Sequence, residues 1–173
     1  MRPMDLKQHI RSVPDFPKQG ILFYDITTLL RDPQGFRMTV DMLSVPYRDQ
    51  GIEAVVGIES RGFILGAAVA ERIGAGFVPI RKPGKLPAKA LKETYDLEYG
   101  KDAIEIHEDA IEKGQRVLIV DDVLATGGTA SAAAQLVRKL GGELQGLAFL
   151  IELVFLNGKS RLPGEKVFSV LQY

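Results

Sequence analysis

Cysteine is absent from the 173 residues of this chain. Its absence excludes a disulfide scaffold, a metal site built from thiolates and a cysteine nucleophile. An excess of either charge is also lacking, because 22 basic and 22 acidic side chains give a net charge of zero. A protein whose main task is to coat nucleic acid carries a positive excess, so that class is not favoured.

Long apolar runs are lacking as well. The longest are interrupted by Glu, Arg or Gly well short of the roughly 18 residues that a membrane span needs. The first 16 residues have neither the apolar stretch nor the cleavage pattern of a secretory signal peptide. Hydrophobic residues make up 46% and charged residues 25%, as in ordinary globular proteins. The sequence therefore predicts one soluble, cytoplasmic domain over residues 1–173, with neither a membrane nor a nucleic-acid partner.

A repeated order of apolar run, glycine-containing turn and helix-like stretch predicts an α/β fold. Its central, mostly parallel sheet should be flanked by helices on both faces, because the strands are almost continuously apolar. Strands are predicted at 54–58, 77–80, 116–120, 146–154 and 166–171, and helices at 63–73 and 129–140. Gly141 and Gly142 are placed to end the second helix.

Two segments depart from this order. Residues 1–30 precede the first strand–helix–strand unit and contain three prolines, which indicates a small N-terminal hood. Residues 81–103 form a long connection, and such connections in compact domains are usually functional or mobile. Alternating apolar and polar residues towards its end predict a β-hairpin. Because residues 81–92 carry five cations and no acid, we interpret 81–103 as a flexible lid that meets an anion rather than as a merely solvated face.

The most informative segment is residues 117–129, VLIVDDVLATGGT. It places the adjacent carboxylates of Asp121 and Asp122 at the carboxyl end of a buried strand, where open α/β sheets bind ligands. A turn of small residues follows, and then a helix N-terminus whose N–H groups and dipole favour an anion. Two acids beside a phosphate site suit a sugar phosphate, with the acids on the ribose hydroxyls and the turn on the 5′-phosphate.

Other interpretations of this segment are weaker. If the two acids merely capped the helix, one would suffice and the glycine pair would have no purpose. A strand ending in Asp also occurs in nucleoside triphosphatases, but the G-x-x-x-x-G-K-[ST] motif is absent, as is the G-x-G-x-x-G motif of dinucleotide-binding folds. His9 and His107 have no second His or Cys at ligand spacing, so we do not expect them to bind metal.

Residues 117–129 resemble the binding signature of the type I phosphoribosyltransferases for 5-phosphoribosyl 1-pyrophosphate (PRPP). Further segments narrow the resemblance to the members of that family that act on adenine. They cover nearly the whole chain in the family's order: PDFPKQGILFYDIT, VVGIESRGFILG, PIRKPGKLP, ETYDLEYGKD and FSVLQY. One position departs from the family, because Tyr24 stands where arginine is common.

The resemblance implies transfer of the phosphoribosyl group from PRPP to adenine, which yields AMP and pyrophosphate in purine salvage. It implies Mg²⁺, held mainly by PRPP and not directly by the protein, and a homodimer. The residues that it assigns to PRPP and AMP are Asp121, Asp122, Ala125, Thr126, Gly127, Gly128, Thr129, Glu59, Ser60, Arg61, Lys82 and Lys85. The residues that it assigns to adenine are Leu22, Phe23, Tyr24 and Leu153.

The catalytic residues implied by the resemblance are Glu98, Arg61 and Arg81. Glu98 would handle a proton of the purine ring, and Arg81 would reach the pyrophosphate of the neighbouring subunit. The loop 59–62 would bind pyrophosphate and contain a cis peptide bond before a residue other than proline.

Two alternatives remain open at this point. The same chemistry on hypoxanthine, guanine or orotate would use the same signature. A non-catalytic PRPP sensor of this fold would bind nucleic acid through an additional basic or helix-turn-helix region, for which this neutral chain has no room.

Overall fold

The computed structural model describes residues 4–97 and 99–173. Its strands are β1 Arg11–Pro14, β2 Leu22–Asp25, β3 Ala54–Ile58, β4 Gly76–Ile80, β5 Ala90–Asp96, β6 Lys101–His107, β7 Arg116–Leu124, β8 Glu143–Glu152 and β9 Val167–Gln172. Its helices are α1 Thr27–Leu30, α2 Pro33–Ser44, α3 Arg61–Ile73 and α4 Gly128–Lys139. Short 3₁₀ turns lie at Leu6–His9, Val45–Tyr47, Val154–Leu156 and Gly158–Arg161.

Five parallel strands form the central sheet in the order β4-β3-β7-β8-β9, which confirms the predicted fold class. Successive side chains of a strand point to opposite faces. Val55 and Leu118 accordingly pack with α2 and α3 on one face, whereas Val56 and Ile119 pack with α4 and the β5–β6 hairpin on the other. Both faces are covered, as the apolar strands predict. Within the described ranges, no helix combines the length and apolarity that a bilayer crossing requires.

The acidic strand β7 is longer than predicted. The sequence places its end at Val120, but the strand continues through both acids to Leu124. The reason is β8, which offers pairing partners as far as Glu152, opposite Leu124. Asp121 and Asp122 therefore lie within a paired strand, and the turn begins only at Ala125. The other predicted strands and helices are present, with ends that match or differ by at most three residues.

Helix α2 is not among the predicted helices, although its start carries ordinary signals. The Asp32 carboxylate accepts a hydrogen bond from the Gly35 N–H at 2.7 Å, and Pro33 occupies the first turn. At the end of α4, the predicted stop is confirmed. Gly141 has a φ of +87°, and its N–H donates to the Arg138 carbonyl at 2.9 Å.

The hairpin predicted within the lid is present as β5 and β6, paired from Ala90 opposite His107 to Asp96 opposite Lys101. Its base is part of the core, because Ile104 and Ile106 are buried in the cluster that also contains α4. The lid is thus attached to the domain by β6.

The described part of the hood, residues 4–30, contains a two-stranded antiparallel sheet of β1 and β2. Leu6, Ile10 and Ile26 anchor it in the core cluster that includes α2 and α3. This packing presents β2, the predicted adenine strand, at the carboxyl end of the central sheet, where the Arg61 guanidinium lies over the Phe23 ring.

Candidate active site

A cavity of about 80 Å³ lies where β7 passes into α4. It is lined by Asp121, Val123, Leu124, Ala125, Thr126, Gly127, Gly128, Thr129, Ala130 and Phe149. Six of the seven signature residues predicted for PRPP are in this set, which we call the cup. The seventh, Asp122, is buried and does not line the cavity. The first turn of α4 supplies backbone N–H groups that have no acceptor within the helix. The cup is therefore suited to an oxyanion such as phosphate.

Glycine is required at two points where the turn of the cup meets the segment 154–161. Gly127 has a φ of +86°, a conformation that other residues rarely adopt. A Cβ at Gly127 would overlap the carbonyl of Gly158, and a Cβ at Gly158 would overlap the carbonyl of Ala125. The segment 154–161 therefore packs backbone against backbone on the phosphate turn. Gly158 was not predicted as part of the site, because it is distant in sequence from the turn that it supports.

The two acids have different surroundings. Asp121 lies beside Gly62, where a Cβ would come within 2.8 Å of the Asp121 carboxylate. Burial raises the pKa of Asp121 well above its usual range, and the negative charge of Asp122 raises it further. Asp122 is buried and forms an ion pair with Arg61. The charge of Asp122 is thus compensated by Arg61. The neutral form of Asp121 is favoured until a ligand supplies hydroxyl donors.

Arg61 joins the acids to the hood. Its Nε donates to Asp122, and its guanidinium carbon lies 5.5 Å from the centre of the Phe23 ring. Burial lowers the pKa of Arg61, but the Asp122 carboxylate outweighs this effect and raises it overall. Arg61 therefore stays charged between the ribose acids and the predicted adenine strand.

The loop after β3 gathers cations of the lid. The Glu59–Ser60 peptide bond is cis, as the resemblance implies. The Glu59 carboxylate accepts the Lys82 N–H at 2.9 Å, pairs with the Lys85 ammonium and lies 3.5 Å from the Arg81 Nε. The hydrogen bond from Lys85 is the main reason why the pKa of Glu59 is lowered. In this state Glu59 is the counter-ion of the cations predicted to meet pyrophosphate.

The Lys82 ammonium faces the hairpin. It donates to the Asp102 carboxylate and to the Tyr95 hydroxyl, the latter at 3.3 Å. Burial lowers the pKa of Lys82, but these two partners outweigh it and raise the pKa, while Lys82 lowers the pKa of Asp102. Neither Asp102 nor Tyr95 was predicted, since each has the pattern of an ordinary strand residue.

The predicted adenine residues lie on two elements. Leu22, Phe23 and Tyr24 are on β2, where Phe23 contacts Phe16 edge to face with 5.1 Å between ring centres. Leu153 directly follows β8, and its N–H donates to the Leu124 carbonyl at 2.9 Å. Tyr24 and Leu153 pack against the same core cluster. Glu98, the predicted proton-handling residue, lies outside the described residues.

Comparisons with known proteins define the family. A model of the phosphoribosyl transferase domain matches residues 27–172. A protein of Acidobacterium capsulatum named adenine phosphoribosyltransferase is 62% identical over 168 residues, which are 97% of this chain and 93% of that protein. The chain belongs to the adenine phosphoribosyltransferase family. A member from Solibacter usitatus is 63% identical over 98% of either chain.

Solved structures of adenine phosphoribosyltransferases have the same fold. The crystal structure from Rhodothermus marinus superposes with a TM-score of 0.93 at 58% identity, covering 97% of this chain and 96% of that one. The enzyme of Saccharomyces cerevisiae, complexed with an imino-altritol bisphosphate and adenine, superposes with a TM-score of 0.91 at 44% identity, covering 96% of this chain and 96% of that one. The phosphoribosyltransferase family and fold expected from the sequence are therefore confirmed.

Proposed function

We propose that this enzyme transfers the 5-phosphoribosyl group of PRPP to N9 of adenine, releasing AMP and pyrophosphate. The observation that supports this most directly is the cup beside two strand acids, in a chain that is 62% identical to an adenine phosphoribosyltransferase over almost its whole length. The proposal includes Mg²⁺, a homodimer and action in the cytoplasm, all three of which rest on the family resemblance.

The proposed Mg²⁺ would be held mostly by its substrate, next to the carboxylates of Asp121 and Asp122. Among residues 4–97 and 99–173, no three or more His, Cys, Asp or Glu side chains are grouped so as to hold a metal ion. Mg²⁺ in enzymes commonly takes few protein ligands and completes its shell with water and substrate phosphates. We assign its ligands mainly to oxygen atoms of PRPP, which Asp121 and Asp122 hold in place. When bound, the ion neutralises charge on the pyrophosphate.

Different residues of the chain hold different parts of PRPP during the reaction. The turn 125–129 holds the 5′-phosphate, and Asp121 and Asp122 accept hydrogen bonds from the ribose hydroxyls. This fixes C1′ between the leaving pyrophosphate and the incoming nitrogen, and such alignment is worth several kcal/mol or more. As the C1′–O bond breaks, the sugar acquires oxocarbenium character, as in glycoside cleavage.

The cations of the lid stabilise the departing charge. Lys82 pairs with Asp102 and Lys85 pairs with Glu59, and we assign both cations to the pyrophosphate. Arg81, whose Nε lies 3.5 Å from Glu59, is assigned to the pyrophosphate of the neighbouring subunit from the family resemblance. Closure of the lid would also exclude water, which would otherwise capture the sugar cation and hydrolyse PRPP. Glu98 is assigned to the purine proton from the family resemblance alone.

Selection of adenine rests on the group at position 6 of the purine. Adenine presents an N–H donor there, whereas hypoxanthine and guanine present a carbonyl. We assign the matching acceptor to a backbone carbonyl of residues 22–24. The wrong base would leave two acceptors facing each other, and mismatches of this kind reject competitors by orders of magnitude.

The proposed function is tested by offering PRPP and Mg²⁺ with adenine, hypoxanthine, guanine and orotate in separate assays. We expect AMP to be the dominant product. Preferential formation of inosine or guanosine monophosphate would contradict the assignment of the base, and binding of PRPP without turnover on any base would favour the sensor. The variant Asp122→Asn should lose turnover by about 100-fold or more while keeping its fold by circular dichroism. Full activity in that variant would contradict the ribose assignment.

A further inference from the structure

The ring of Tyr173 stacks on the ring of Tyr24. Their centres are 4.0 Å apart and the ring planes are inclined by 30°. Both side chains are half-buried against the core cluster shared with the hood. The Lys7 ammonium lies 4.5 Å from the centre of the Tyr173 ring and donates to the Gln172 carbonyl at 2.5 Å. Tyr173 is thus fixed to β2 and to the start of the hood.

The backbone of Tyr173 is bound to a different part of the site. Its N–H donates to the Glu152 carbonyl at 3.0 Å, and its carbonyl accepts the Val154 N–H at 2.9 Å. These two partners are the residues on either side of Leu153, which was assigned to the purine face. One residue therefore contacts the hood through its ring and the flanks of Leu153 through its backbone.

We propose that Tyr173 is a positioning residue for adenine, which sets the distance between β2 and Leu153 and thereby the affinity for the base. This inference rests on the proposed function, because it concerns the same adenine site. Tyr173 is not among the residues that line the cup, and its loss should leave PRPP binding intact.

The expected effect follows from the energy of an aromatic pair. An aromatic pair contributes free energy in addition to that of burying its surface. This additional contribution changes an equilibrium constant by about 2- to 12-fold. Tyr173→Ala and Tyr173→Leu should therefore raise the KM for adenine by about 2- to 12-fold, with the KM for PRPP and kcat close to wild type. Tyr173→Phe keeps the ring and the backbone contacts, so it should keep the wild-type KM for adenine.

The experiment combines steady-state kinetics with a double-mutant cycle. Tyr24→Ala and the double variant Tyr24→Ala/Tyr173→Ala are measured beside the single variants. Because each single change removes the same stack, the KM for adenine in the double variant should exceed that of Tyr24→Ala by less than twofold. Phe36→Ala is the matched control, since Phe36 is a half-buried aromatic residue of the same cluster on α2. It should lower the melting temperature without changing the KM for adenine.

The outcomes separate the two proposals. If the wild-type protein makes no AMP, the proposed function and this inference both fail. If it does make AMP, an unchanged KM for adenine in Tyr173→Ala overturns this inference alone. The inference is likewise overturned if Tyr173→Ala raises the KM for adenine and the KM for PRPP equally. It is also overturned if the increase in the KM for adenine in the double variant is the product of the increases in the two single variants. Either result would assign Tyr173 a purely structural role.

Discussion

Replacing Gly127 by alanine tests whether the phosphate turn depends on close backbone packing. A Cβ at position 127 would lie 3.1 Å from the carbonyl carbon and 3.2 Å from the Cα of Gly158, and nearer still to its carbonyl oxygen. All three are backbone atoms, so the overlap cannot be relieved by rotating a side chain. The turn 125–129 must shift by several tenths of an ångström away from the segment 154–161.

Two effects follow from this change. The left-handed backbone at Gly127, with φ +86°, costs about 1–2 kcal/mol for any residue with a Cβ. The shift of the turn also moves the N–H groups that are assigned to the 5′-phosphate. Since a displacement of 1 Å can cost about 100-fold in rate, we expect kcat/KM for PRPP to fall by about 10- to 100-fold.

The matched control is Gly164→Ala. Gly164 has a φ of +77°, but a Cβ there would meet no atom within 4 Å. The variant Gly164→Ala therefore has the same kind of backbone strain as Gly127→Ala but no overlap between the new Cβ and another part of the chain. It should lower the unfolding free energy by about 1 kcal/mol and leave kcat/KM for PRPP unchanged. Denaturant unfolding and initial rates of AMP formation at varied PRPP measure both quantities. Wild-type kcat/KM in Gly127→Ala, or an equal loss in Gly164→Ala, would refute this reasoning.

Two carboxylates give opposite dependences of stability on pH. Burial and the charge of Asp122 raise the pKa of Asp121 in the folded protein. Because the folded protein then holds this proton more tightly than the unfolded chain, the unfolding free energy falls as pH rises above about 4. Asp121→Asn should remove this decline in denaturant titrations between pH 4 and 8. Hydrogen bonds from Thr27 and Arg11 lower the pKa of Asp25 from 3.8 to about 2. Its stabilisation is therefore present above pH 4 and lost towards pH 2. Asp25→Asn should cost about 1 kcal/mol at pH 7, less than the shift alone implies because water screens this surface pair, and progressively less below pH 4.

The chemistry that could be predicted from the sequence is local in the chain. Both acids and the turn of the cup fall within the 13 residues of the signature, so their proximity is guaranteed by chain connectivity. The hairpin was also predictable, because alternation is a property of neighbouring residues. The continuation of β7 past Val120 was not, since it depends on how far β8 provides pairing partners.

Contacts between distant residues could not be predicted in this way. The family resemblance assigned Arg61 and Asp122 to one site but did not pair them, and it assigned Lys82 to pyrophosphate without indicating Asp102 as its partner. The stack of Tyr24 on Tyr173 joins β2 to the residue that follows β9, far away in the sequence. Such pairs depend on the packing of whole elements, and no local pattern of residues encodes them.

The ion pairs of the lid have a consequence for how the enzyme responds to ionic strength. Because Lys85 and Lys82 already have carboxylate partners in Glu59 and Asp102, an incoming diphosphate exchanges one set of counter-ions for another. Dissolved salt weakens both the ion pairs within the protein and those between the lysines and the bound diphosphate. Affinity for the phosphorylated substrate should therefore vary less with salt concentration than the number of cations around it would suggest.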